Sequence, residues 1–169
     1  MSAGWSGERA PNEITIHGFT GLGEPVLLTV GDVEFTHSAL PGLLRKTQLK
    51  DYWMDAKVTV RDAALATTTT IQLIEPYRED LVAFMRQAAE VSPSGQPSAI
   101  ETENGELALR ATVGPSGDAG IKLEVVQMLP SKEARTVEFW VSAEDLRAAA
   151  SGLAALFRVG SADVSRLST

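Results

Sequence analysis

The sequence predicts an α+β fold, a single domain in which an antiparallel β-sheet of about six to eight strands carries two amphipathic helices packed on one face. Three observations lead there. Several stretches alternate apolar and polar residues with a period of two, which places one face of each strand in a core. Two other stretches place apolar residues at helical spacing, and each directly follows such strands, so a strand-then-helix pattern occurs twice, at residues 52 to 91 and 98 to 158. The interior Pro/Gly/Ser-rich stretch, Ser92 to Ser98, joins the two copies and is too short to separate domains.

Residues 1 to 12 are small and polar and include Pro11, so they read as a mobile lead-in, and the domain is expected to span residues 13 to 160. Val26 to Val30 and Val33 to Thr36 are short apolar runs separated by Gly31-Asp32, which predicts a hairpin turning at that dipeptide. Ala39 to Leu49, with Pro41-Gly42, reads as a connection. From Tyr52 the alternation puts Tyr52, Met54, Ala56, Val58 and Val60 on one face and Trp53, Asp55, Lys57, Thr59 and Arg61 on the other. The next strand, Thr67 to Ile74, is rich in β-branched residues that suit a pleated surface. Pro76 then opens a helix, where a proline forfeits no intrahelical bond. Its buried stripe is Tyr77, Leu81, Phe84, Met85 and Ala88, with Arg78, Glu79, Arg86, Gln87 and Glu90 off that stripe.

In the second copy Asn104-Gly105 predicts a two-residue turn that pairs Thr102 with Leu107 and Ile100 with Leu109. That register sends Ile100, Thr102, Leu107 and Leu109 inward and turns Glu101, Glu103, Glu106, Ala108 and Arg110 to water. Ile121, Leu123 and Val125 continue the inner face, with Lys122 and Glu124 outside it. Val137, Phe139 and Val141 form the last strand, alternating with Thr136, Glu138 and Trp140. Ser142 with Asp145 three residues on forms a capping box for a helix buried through Leu146, Ala149, Leu153, Leu156 and Phe157. Gly160 is placed to stop it, and residues 161 to 169 read as a frayed, flexible tail.

Composition narrows the chemistry. At 169 residues and 18.0 kDa, with 44% hydrophobic and 22% charged residues, the chain is long and apolar enough to bury a core unaided. It has no cysteine, which removes thiol nucleophiles, disulfides and cysteine-ligated metals. No apolar run reaches the roughly 18 residues of a membrane span, and the N-terminus lacks the layout of a secretion signal, so a cytoplasmic location is expected. A formal charge of −7 repels nucleic acid and anionic membranes at long range and attracts a basic protein partner.

No motif points to catalysis, a metal or a cofactor. The two histidines, His17 and His37, match no metal spacing, and no G-x-S-x-G elbow nominates a serine. Gly18, Gly21 and Gly23 stand in the wrong order for a dinucleotide fingerprint and read as a flexible glycine loop before a hairpin. Glu101, Glu103 and Glu106 flank an exposed turn, where they read as solvated charge or as an acidic edge for a partner. Trp53 and Trp140 fall on the polar sheet face, where large aromatics mark binding surfaces unless the N-terminal hairpin or the 39 to 49 connection covers them. These five residues are the candidate partner-binding positions.

The order YWMDAKVTVRDAALATTTTIQLIEPYREDLVAFMRQ, GELALRATVGPSGDAGIKLEVVQML, VEFWVSAEDLRAAASGLAALF resembles a group of small, often actinobacterial, proteins and also the WapI-type immunity proteins that neutralise secreted toxins. The resemblance spans roughly residues 50 to 158 and rests on Glu75-Pro76 at the helix start and on Gly105 to Leu109. It implies a non-enzymatic protein that acts by binding a toxin, and it transfers no site residues. Two alternatives stand beside it: a homo-oligomeric interaction or scaffold module, and a protein that holds a small apolar ligand between sheet and helices.

Overall fold

A computed structural model describes residues 12–36, 53–91, 97–102, 104–113 and 120–159. Among these, four strands, β1 (Glu13–Phe19), β2 (Pro25–Thr36), β3 (Trp53–Arg61) and β4 (Ala66–Ile74), lead into helix α1 (Glu75–Ala89). Four more, β5 (Ser98–Glu101), β6 (Leu107–Val113), β7 (Ile121–Met128) and β8 (Ala134–Val141), lead into α2 (Ala143–Leu156). They form one antiparallel sheet in the order β4-β3-β2-β1-β8-β7-β6-β5. The architecture is thus two four-stranded meanders, each followed by a helix, joined side by side where β1 meets β8.

The repeat is larger than the alternation alone indicates, because the N-terminal strands belong to the first copy. The expected turn at Gly31-Asp32 does not form. Asp32 does adopt a positive φ of 50°, but it uses it in a bulge: β2 runs on, and its register against β3 shifts between Gly31 and Glu34. The chain turns earlier, at residues 20 to 24, so that β1 and β2 pair from Glu13↔Gly31 to Phe19↔Pro25. The hairpin is therefore the middle of the sheet and covers neither tryptophan.

One face of the sheet is mainly apolar. Ile16, Val26, Leu28, Val30, Met54, Val58, Ile71, Leu109, Leu123, Val125 and Phe139 are buried there with Leu81, Phe84 and Met85 of α1 and Leu146 and Leu153 of α2. The register expected around Asn104-Gly105 forms, with Ile100 opposite Leu109 and the Thr102 N–H on the Leu107 carbonyl at 2.9 Å, but the turn is wider than two residues: Gly105 takes a φ of +77° while Asn104 has no positive φ, and the Gly105 N–H bonds back to the Thr102 carbonyl at 2.9 Å. Ser142 caps α2, its hydroxyl accepting the Asp145 N–H at 3.0 Å. Arg78 departs from its expected polar position. It is only 4% exposed and lies over the Phe35 ring, 5.3 Å from the centroid, with Arg158 over the same ring at 4.0 Å, so its guanidinium finds a π-face where periodicity alone would send it to water.

The two meanders also fold toward each other across their apolar faces, and a polar latch holds them. Gln127 of β7, fully buried, donates to the Val58 and Thr67 carbonyls, both at 3.1 Å, and accepts the Thr67 hydroxyl at 2.6 Å. Arg135 of β8 donates to the Val60 carbonyl at 3.1 Å, to the Thr67 hydroxyl at 2.6 Å and to the Asp62 carboxylate at 2.7 Å. The Thr69 hydroxyl reaches the Met128 carbonyl at 3.2 Å.

Candidate functional site

The join between β1 and β8 is narrow. Only Phe19↔Trp140 pair across it, and Gly18 permits the approach, since a Cβ there would collide with the Phe139 ring and lie 2.6 Å from the Trp140 carbonyl. Beyond that single pair a groove of about 630 Å³ opens, lined by His17, Phe19, Thr20, Trp140, Ser142 and Asp145 among others.

Next to this groove stands an apolar tip on a hydrogen-bonded turn. The β1–β2 turn is a three-residue loop, and Gly23 takes its left-handed position at φ +85°. Thr20 organises it: its N–H donates to the Glu24 carbonyl at 2.8 Å, its carbonyl accepts the Gly23 N–H at 2.9 Å, and its hydroxyl accepts the N–H groups of Leu22 at 3.3 Å and Glu24 at 3.1 Å. The glycine loop expected to be flexible is a bonded turn. It presents Leu22 at 90% exposure, with Phe19 at 55% three residues earlier and Trp140 half-buried on the neighbouring strand. Glu24, Glu144 and Asp145 are exposed close by in the sequence of the turn and of the helix start. The sequence signal was available: T-G-L-G-E places a leucine inside a glycine loop with nowhere to bury it.

Trp53 and Trp140 both lie on the outer sheet face, as the alternation expects, yet they are not brought together. Trp53 opens β3 opposite Thr36 and Ile74, whereas the Phe19↔Trp140 row continues to Pro25, past the other end of β3, where Arg61 meets Leu27. Trp53 is 37% exposed. Glu101 is exposed on β5. Glu106 is half-buried, and its carboxylate accepts the Thr102 hydroxyl at 2.7 Å and the Asn104 amide at 3.5 Å, so it clamps its own turn. Glu103 and His37 lie outside the described residues. Elsewhere on this face Lys122 meets Glu138 at 3.8 Å and Lys57 meets Asp32 at 3.7 Å, both exposed enough to be worth less than about 1 kcal/mol.

An imidazole, a hydroxyl and a carboxylate share the seam groove, but nothing assembles them. His17, Ser142 and Asp145 are all exposed, the Ser142 hydroxyl is occupied as the α2 cap, and among the described residues no hydrogen bond links His17 to either. No three His, Asp or Glu side chains converge as a metal site requires among the described residues, and no helix there is long and apolar enough to cross a membrane. Compared with protein-family models, curated proteins and solved structures, the chain matches none.

Proposed function

We propose that this chain is a non-catalytic binding protein that docks a protein partner at the seam, with Leu22, Phe19 and Trp140 as the anchors. The observation that carries this reading is the 90% exposure of Leu22 on a turn tied by four hydrogen bonds. A turn whose backbone is already bonded loses less conformational entropy on docking, so more of the gain from burying its apolar side chain is kept. The exposed Glu24 two residues after Leu22, Asp145 in the groove lining and the overall charge of −7 favour a partner with a basic border, chiefly by raising the association rate.

Within that reading the partner is a secreted toxin, which the chain occludes in the manner of the immunity proteins its residues 50 to 158 resemble. The reading requires a large secreted toxin to be encoded directly upstream of the gene, and the absence of one would overturn it; the test is then coexpression of the chain with that toxin. Protection is expected from the native chain and should be lost with Leu22→Asp or Phe19→Ser, each surface change leaving the thermal midpoint intact. Full protection by both variants, with the toxin still bound, would remove the seam from the binding surface.

A further inference from the structure

The two edges of the sheet are defended unequally. β5 is four residues long, follows Pro97 and carries the exposed Glu101, and all three features discourage another strand from pairing. β4 is nine residues long, ATTTTIQLI, with no charge, proline or glycine. Six of the nine, Thr67 to Ile71 and Ile74, are β-branched. The bond from the Asp62 N–H to the Leu65 carbonyl at 3.0 Å fixes which residues of β4 face β3: Thr67, Thr69 and Ile71 bond inward along the ladder, so the N–H and C=O groups of Thr68, Thr70 and Gln72 point away from the sheet. No other described strand pairs with them, and Thr68 and Thr70 are exposed. A long, uncharged, β-branched edge of this kind is a template for strand addition.

We propose that the β4 edge is a docking surface for β4 of a second copy of this chain, antiparallel across a two-fold axis at Ile71. Two observations favour a second copy. The edge contains no charge to repel itself, although the chain as a whole carries −7. With Ile71 on the axis, Thr70 of one copy faces Gln72 of the other; since Lys57 pairs with Thr70 and Asp55 with Gln72 on β3, Lys57 of one copy and Asp55 of the other fall in the same row. The charges flanking the joint are complementary in both directions. Gln72 already donates to Asp55 at 3.2 Å, which holds its side chain along that row. This joint is distinct from the seam and leaves it open for another partner.

The experiment is light scattering on the full chain over a concentration series, with two single variants. Thr70→Asp puts a carboxylate on an exposed side chain, beside Lys57 of its own copy and in the row that ends in Asp55 of the other, and Thr70→Pro removes an N–H that β3 does not use. The native chain is expected at twice 18.0 kDa, and both variants at 18.0 kDa with unchanged circular dichroism, their dimer affinity lowered by about tenfold or more. A native chain that stays monomeric at every concentration overturns the proposal. So does a native dimer that folded Thr70→Pro leaves intact, which would place the interface elsewhere, such as the tryptophan face.

Discussion

Gln127 bonds three groups on β3 and β4 from a position with no access to water. Replacing it with leucine keeps the volume but takes the acceptor from the Thr67 hydroxyl proton and the donor from the Val58 and Thr67 carbonyls, so Gln127→Leu should lose about 1–3 kcal/mol and lower the melting temperature by on the order of 5 °C. Asp62 adds a pH-dependent part to the same latch. Backbone N–H bonds from Leu65 and Ala64, with the Arg135 guanidinium beside it, hold its carboxyl below the usual 3.8. Because the folded value is the lower one, the stabilisation is complete above pH 3.8 and is lost as pH falls through the folded value. Asp62→Asn should therefore be less stable than the native chain at pH 6, and the gap in denaturant midpoint should close in acid; a gap that stays constant down to pH 2 would show that the charge contributes nothing. Glycines offer a sharper contrast. Gly18→Ala drives a methyl group into the Phe139 ring and the Trp140 carbonyl, while a Cβ at Gly21 meets nothing within 4 Å. The first substitution should cost several kcal/mol and the second less than about 1, as urea melts of the two variants would show.

Elements whose polarity alternates cleanly were legible from the residues alone. The inner faces of β3, β6, β7 and β8, the Asn104-Gly105 register and the Ser142 cap all follow from side-chain period and local turn chemistry, which need no knowledge of distant partners. Ser142→Ala tests the cap: removing the hydroxyl that takes the Asp145 N–H should cost about 1 kcal/mol, read as a fall in thermal midpoint. β2 was divided in error because Gly31-Asp32 is chemically able to turn, and only pairing on both sides, to β1 and to β3, shows that it bulges instead. Arg78 was misplaced for a related reason. Helical period assigns a guanidinium to water, and nothing local announces that Phe35, forty-three positions earlier in the chain, supplies a ring for it. Of the candidate site, the outward direction of Trp53 and Trp140 was legible, but their separation was not, since it depends on how the two meanders are joined.

As a whole molecule the chain has the look of two units but the connections of one. The latch crosses between the meanders, and α1 packs against α2. Urea unfolding followed by far-ultraviolet and near-ultraviolet circular dichroism should give coincident single transitions; two separated transitions would mean that each meander with its helix is an independent folding unit. The unequal edges of the sheet bear on growth. A joint between two β4 strands is the same patch used twice, and it consumes both permissive borders at once, leaving only β5 with its proline and glutamate at either flank. Such an assembly stops at two subunits, because the patch that joins them is used up and the strand left at each border discourages elongation into a fibre.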